Sequence, residues 1–152
     1  MIRESYSAAE WRTLQMSFFW MYLAIARAEG KVDKKETEAF VSEMRKWILS
    51  IDPLVREVTT TFNMEASGIA SEVLTDGRSP VQGLSEVAEI LDRKATPEQT
   101  KEFKGTLLLV GHRIATASGG GVFGLGDKIS PEERTVLQVL MVALRATSVF
   151  QT

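Results

Sequence analysis

The hydrophobic residues of this chain recur at alternating spacings of three and four, which is the period of an amphipathic α-helix. The clearest case is the first long segment, which we predict to be helical over residues 7–29. Because further apolar residues surround most of its second half, this helix should lie in the middle of a bundle. Its apolar stripe comprises Trp11, Leu14, Phe18, Met21, Ile25 and Ala28.

Six helix starts follow from a single capping mechanism. Each has a serine, threonine or aspartate, whose side chain can accept a hydrogen bond from a free backbone N–H of the first turn. Four of these residues precede a proline, which suits the first helical position, and five have glutamate or glutamine three residues later, as in a capping box. The six predicted caps are Ser7, Asp33, Asp52, Ser79, Thr96 and Ser130.

These starts divide the chain into about seven helices. The second should cover 33–49, followed by a short helix after Asp52 and another over 64–74. Two further helices begin at Ser79 and Thr96, and the last should cover 130–147. On that last helix we expect five residues to be buried: Val136, Val139, Leu140, Ala143 and Leu144. No segment alternates with period two, so the prediction is an all-α, single-domain helical bundle over 1–152.

Composition narrows the possible functions. The chain has 152 residues, no cysteine and a net charge of -2. Disulfides, thiolate catalysis and cysteine-bound zinc are therefore excluded, and the charge gives no support for binding nucleic acid. The apolar run at 18–26 is much shorter than the roughly 20 residues of a membrane span. We expect no signal peptide, no membrane span and a cytoplasmic protein.

Two turns resemble each other in sequence. Residues 29–36 and residues 127–133 each follow a long apolar segment and contain an aliphatic residue, a helix cap and a glutamate three residues after the cap. This repetition predicts two helix–turn–helix hairpins that pack about a pseudo-twofold axis. The aligned pairs are Val32 with Ile129, Asp33 with Ser130, and Glu36 with Glu133.

The first turn resembles the Asp-Gly-x-Val/Ile-x-x-x-Glu signature of TerB-like proteins, the tellurite-resistance helical family, and 126–133 is similar to members of that group. Gly30 and Glu36 match the signature, Glu29 stands where the family usually has aspartate, and Asp127 takes the place of the second glycine. The resemblance covers both hairpins. It implies an all-helical bacterial protein linked to tellurite resistance or another stress response, with a divalent metal bound by acidic turn residues.

The carboxylates themselves allow two interpretations. Asp33 and Glu36 can act only as a helix cap, whereas Glu29 lies at a helix C-terminus, where a negative charge is unfavourable unless a cation is near. That cation can be a metal ion or the side chain of Lys31 or Arg27. With no cysteine and one histidine, a metal would be a hard, oxygen-bound ion such as calcium, magnesium or manganese. The predicted ligands are Glu29, Asp33, Glu36, Asp127 and Glu133.

Other candidate sites carry less weight. An EF-hand is excluded because Ile25 and Arg27 would occupy its first two ligand positions. The glycine-rich segment 118–126 contains the dinucleotide-binding glycine pattern but follows a helix rather than a strand, so we predict a loop. His112 lies off the apolar stripe of its helix and should be at the surface.

Three functional hypotheses follow. The leading one is a non-catalytic TerB-like domain that binds a divalent cation and engages a protein partner through the surface around it. The second is a metal-free helical interaction module whose turn carboxylates are only caps. The third, an enzyme with paired carboxylates as acid and base, has the least support. The oligomeric state does not follow from the sequence.

Overall fold

The computed structural model describes residues 1–28, 30, 33–119 and 129–146, and all regular structure within these ranges is helical. The prediction of an all-α fold is confirmed. Short 3₁₀ helices cover Ile2–Ser5 and Trp47–Leu49. The α-helices are α1 (Ala8–Arg27), α2 (Lys34–Lys46), α3 (Pro53–Thr75), α4 (Pro80–Lys94), α5 (Pro97–Gly119) and α6 (Pro131–Ala143).

All six predicted helix caps are confirmed. Four helices begin with a complete capping box, in which the cap hydroxyl accepts from the third residue and that residue's side chain accepts from the cap N–H. Asp52 accepts a hydrogen bond from Val55 N at 2.9 Å, and Asp33 accepts one from Lys35 N at 2.6 Å. The four capping boxes belong to Ser7, Ser79, Thr96 and Ser130.

The described residues form six α-helices rather than about seven, because the two short helices predicted after Asp52 are joined across a kink. Helix α3 continues through a kink at Glu65, where φ is -113° and ψ is 15°. Residues 59–61 of this helix are threonines, whose β-branched side chains lower helix propensity. Their hydroxyls bond to carbonyls one turn earlier; Thr60 Oγ1, for example, donates to Arg56 O at 2.7 Å. The Glu65 carboxylate pairs with Arg3 at 2.9 Å, which ties the kink to the N-terminal 3₁₀ helix.

Helix α1 lies at the centre of the bundle, as its wide apolar surface predicts. It packs against α3, α4 and α5, and it also contacts α2 and α6. Helix α2 packs mainly on α5, and α6 packs mainly on α4. The fully buried side chains of α1 include Trp11, Leu14, Phe18, Trp20, Met21 and Ile25.

None of the helices in the described ranges is long and apolar enough to cross a bilayer. The apolar run at 18–26 belongs to α1, where Phe18 and Met21 are fully buried against neighbouring helices.

The last helix differs from its prediction in length and in burial. It ends at Ala143 rather than near residue 147, which lies outside the described residues. Arg145 has φ 55°, its N–H bonds to Val142 O, and Ala146 N–H bonds back to Met141 O at 3.1 Å, which closes the helix end. Only one side of α6 faces the core, so Val139 is 46% exposed, Val136 and Ala143 are partly exposed, and Leu140 and Leu144 are buried.

Glu43 is an acid on α2 whose neighbours Ser42 and Arg45 are exposed. It is buried, and its Oε1 accepts hydrogen bonds from Arg113 Nη1 at 3.0 Å and from Trp47 Nε1 at 3.1 Å. This ion pair joins α2 to α5. His112, the neighbour of Arg113, is exposed as predicted.

The packing of α4 against α1 gives a test that uses two glycines. A Cβ on Gly83 would lie 2.5 Å from the Trp20 ring, whereas one on Gly68 in α3 would meet nothing within 4 Å. We expect Gly83→Ala to lower the free energy of unfolding by about 1–3 kcal/mol through overpacking. Gly68→Ala should raise it by about 0.5–1 kcal/mol through helix propensity. Urea unfolding of both variants measures these changes, and equal stabilities would contradict the close α1–α4 packing.

Candidate metal centre

The first acidic turn joins α1 to α2. Gly30 takes the left-handed conformation that glycine adopts readily at the end of a helix, with φ 85°, and its N–H bonds to Arg27 O at 3.0 Å. The start of α2 is held against α1 by side chains: the Tyr22 hydroxyl bonds to Thr37 Oγ1 at 2.6 Å, and the Tyr22 ring stacks on Phe40. These contacts fix the orientation of the first turn of α2.

The second turn joins α5 to α6 and ends at Ser130. Ser130 Oγ accepts from Glu133 N at 3.1 Å, and Glu133 Oε1 accepts from the hydroxyl of Ser130 at 3.2 Å and from its backbone N–H at 3.4 Å. One carboxylate oxygen of Glu133 is thus engaged in the cap. The other carboxylate oxygen of Glu133, Oε2, takes no part in the cap.

Glu36 and Glu133 occupy the same position in their helices, the third residue, and the fold brings their carboxyl groups together. Glu36 is 3% exposed and Glu133 is 1% exposed. The Glu36 carboxyl lies within hydrogen-bonding reach of Glu133 and acts on it both as a hydrogen-bond partner and as a charge. Within the described residues, Oε2 of each has no hydrogen-bond donor. The two predicted turns therefore meet at this pair.

This arrangement changes the acidity of Glu133. Burial, together with the hydrogen bond and the negative charge of Glu36, raises the pKa of Glu133 to about 8, although hydrogen bonds from Ser130 act in the opposite direction. The N-termini of two helices also favour a negative charge here, but desolvation and repulsion are stronger. At neutral pH Glu133 therefore keeps its proton unless another positive charge lies near it.

Among the described residues, no other predicted ligand joins Glu36 and Glu133. Asp33 is only partly buried, and its Oδ1 accepts from Lys35 N, so it acts as a helix cap. Glu36 forms no capping box with Asp33. Glu29 and Asp127 lie outside the described residues. Within the ranges that the structure describes, no group of three or more histidine, aspartate or glutamate side chains could hold a metal ion.

The two glutamates nevertheless suit a hard divalent cation. Mg²⁺ is commonly held by one or two carboxylates together with water, and Ca²⁺ also prefers carboxylate and carbonyl oxygens. Two buried oxygens without donors, one from each turn, are the groups that such an ion would neutralise. The residues present therefore fit a magnesium, calcium or manganese ion better than a softer metal.

The spacing of apolar residues in the sequence indicates that both acids are buried, although the capping pattern indicates only a position at a helix start. Glu36 is spaced by four residues from Phe40, which places it on the buried side of α2. Glu133 is spaced by four from Leu137 and by seven from Leu140, on the core-facing side of α6. An acid within an apolar stripe at the start of a helix is a stronger sign of a site than the cap spacing alone.

The raised pKa predicts how stability depends on pH. The pKa of Glu133 is raised from 4.5 to about 8 on folding, so its contribution is present below about pH 4.5 and is lost as pH rises through about 8. In chelator-treated protein, we expect the free energy of unfolding to fall between about pH 5 and pH 8. Urea unfolding across this range measures the slope.

A matched pair of variants isolates this effect. Glu133→Gln keeps a residue that can complete the capping box, as Gln82 does in α4, but it removes the titrating group. At about pH 8 it should raise the free energy of unfolding by more than about 1 kcal/mol and flatten the slope. Glu132→Gln, at the exposed neighbouring position, should leave the slope unchanged. Identical slopes for all three proteins would contradict the buried pair.

Comparison with protein-family models gives no match for this chain. Comparison with curated proteins gives no match, and comparison with solved structures gives none. The functional argument therefore rests on the geometry and chemistry of the two turns.

Proposed function

We propose that this protein is a non-catalytic domain that binds a divalent cation between its two acidic turns, with Glu36 and Glu133 as ligands. The single observation that supports this function is the burial of these carboxyl groups against each other, with one oxygen of each lacking a hydrogen-bond donor. A buried unpaired charge is strongly unfavourable, and a divalent cation would offset two of them at once.

The cation would also link the two hairpins. Glu36 belongs to the first and Glu133 to the second, so an ion bound by both bridges α2 and α6 where each begins. Two carboxylates supply only part of a coordination shell of six to eight oxygens. Glu29, Asp33 and Asp127 remain predicted ligands, together with backbone carbonyls and water. Calcium, magnesium and manganese are the candidate ions.

The resemblance of both turns to the TerB-like signature supports a more specific role. The equivalent placement of Glu36 and Glu133, each third in its helix, is what two pseudo-symmetric hairpins would produce. We infer a bacterial, cytoplasmic protein of the tellurite-resistance or stress-response type. The bound ion would hold the turns in the geometry that a protein partner recognises.

The metal-free alternative treats the turn carboxylates as helix caps only. Glu133 does take part in a cap, through Oε1. Glu36 does not, because Asp33 caps α2 through Lys35 N and no capping box forms. Glu36 caps no backbone N–H of the described residues and is buried beside another acid, and the metal-free alternative gives no reason for this position.

Carboxylate-based catalysis is the weaker second candidate. Glu133 has the raised pKa that a general acid requires. However, neither Glu36 nor Glu133 lines any of four cavities formed wholly by described residues. A substrate would need such a cavity to reach the pair.

Calorimetric titration of chelator-treated protein with Ca²⁺, Mg²⁺ and Mn²⁺ tests the proposed function. We expect binding of at least one ion to a single site, with proton release at about pH 7 because the proton on Glu133 must leave. Glu36→Gln and Glu133→Gln should each weaken binding by more than about tenfold. Glu132→Gln, in the same helix turn but exposed, is the control and should bind as the wild type does.

The same titration decides which other residues complete the site. Glu29→Gln and Asp127→Asn should each reduce affinity if they are ligands. No binding heat with any of the three ions, together with no rise in melting temperature at about pH 8, would contradict the metal-binding function. The raised pKa of Glu133 would then reflect only a proton held by this side chain in a protein that binds no metal.

A further inference from the structure

A second charged site lies at the opposite end of α6 from the acidic pair. A cavity of about 440 Å³ opens where the end of α4, the first part of α5 and the turn after α6 meet. Its charged lining residues are Asp92, Lys101, Lys104 and Arg145. None of the predicted metal ligands lines it, so it is a separate feature of the molecule.

The charges in this cavity are unbalanced. Three cationic side chains face one carboxylate, that of Asp92. Lys104 Nζ lies 3.4 Å from Asp92 Oδ1, and Arg145 Nη1 lies 3.4 Å from Oδ2. Charge-assisted hydrogen bonds are normally about 2.7–2.9 Å long. One carboxylate is thus shared at long range by two cations, and Lys101 forms no ion pair with any described residue.

The burial of Lys104 makes this imbalance significant. Its side chain is only 7% exposed, whereas lysine is almost never fully buried without a good partner. The ammonium group has three donors, and its single acceptor among the described residues is the distant Asp92 oxygen. No hydrogen bond joins Lys104 Nζ to the neighbouring Thr100 hydroxyl, which donates to Leu91 O at 3.2 Å.

Arg145, which lines the same cavity, has an unusual backbone conformation. Arg145 is the only non-glycine residue with positive φ in the described ranges. It stands at the position after a helix where glycine is strongly preferred, because a side chain strains the left-handed conformation. The positive charge of an arginine there suits the negative end of the helix dipole, but it does not remove the backbone strain. Its guanidinium also supplies a positive charge at the mouth of the cavity, where it is 58% exposed.

We propose that this cavity binds the phosphate group of a small phosphomonoester. Three cations and one carboxylate leave an excess of two positive charges, which matches a phosphate of about -1.5 to -2 charge at neutral pH. Arginine presents a planar fork that suits phosphate oxygens, and lysine adds point charges. The cavity has room for more than a phosphate ion, since ligand pockets of about 300–1,000 Å³ hold small organic molecules.

Asp92 has a defined role in this site. It holds Lys104 and Arg145 in place when no ligand is present, and its side chain is 46% exposed. It can therefore turn toward solvent when a phosphate, which is a stronger acceptor for both cations, enters the cavity.

The site is tested by titrating chelator-treated protein with inorganic phosphate, glycerol phosphate and succinate at low ionic strength, followed by NMR. Both phosphates should perturb the amide signals of α4, α5 and the end of α6. Tighter binding of glycerol phosphate identifies an ester as the ligand, and equal binding identifies the free ion. Succinate binding as tight as that of phosphate, or no binding of either phosphate, overturns the proposal.

Substitution of Arg145 separates binding from folding. Arg145→Gly replaces a strained residue with the one that this backbone conformation favours, so the melting temperature should be unchanged or raised. Phosphate affinity should nevertheless fall by at least about tenfold. Lys101→Gln, at an exposed position, should reduce affinity by a smaller factor, and Lys104→Met should abolish binding.

The controls distinguish this site from the metal centre. Arg134→Gln removes a cation from the exposed surface of α6 outside the cavity and should bind phosphate as the wild type does. Glu133→Gln should also bind phosphate normally, whether or not the metal-binding function holds. Unchanged phosphate affinity in both Arg145→Gly and Lys101→Gln would overturn the proposal.

Discussion

Two carboxyl groups buried beside each other repel and lose the hydration that stabilises their charge, and this constraint governs the rest of the molecule. Glu36 and Glu133 can stay in this position only because the elements that carry them are held firmly by apolar packing elsewhere. The buried pair must also be neutralised by a proton or by a cation. In the absence of a metal, Glu133 is neutralised by a proton, and its pKa is raised for this reason.

The apolar packing that opposes this repulsion is centred on α1. This helix contacts every other α-helix of the described part of the chain. Around it, Phe18, Phe40 and Phe62 belong to a continuous cluster of aromatic rings with centroids about 5–6 Å apart. Each buried aromatic side chain contributes on the order of 2–3 kcal/mol of hydrophobic stabilisation. A core of this size can support a site whose own electrostatic energy is unfavourable.

Helix α6 connects the two charged regions of the protein. Glu133 lies in its first turn and Arg145 just beyond its last, so at about 1.5 Å per residue they are separated by roughly 18 Å along the helix. At the start of α6 the buried carboxyl groups have too little positive charge near them. Beyond the end of α6 the cationic side chains outnumber the single carboxylate. The opposite sign of these two imbalances is why we assign a cation to one end and an anion to the other.

The amino-acid sequence by itself determined the helices, their starting residues and the resemblance between the two turns. Capping depends on residues within three positions of each other, and the apolar stripes repeat every three or four, so both can be read locally. The left-handed Gly30 belongs to the same category. The continuation of α3 across the kink at Glu65, where two separate helices are predicted, could not be read locally.

Only the tertiary structure decided which of the predicted acids meet. Glu36 and Glu133 are far apart in the chain, and Asp33, three residues from Glu36, remains a simple cap. The burial of Glu43 and Lys104 likewise depends on neighbours from other helices. Solvation and pKa are properties of everything that surrounds a side chain in space; a pattern within one helix indicates which side faces the core, but not which side chains meet there.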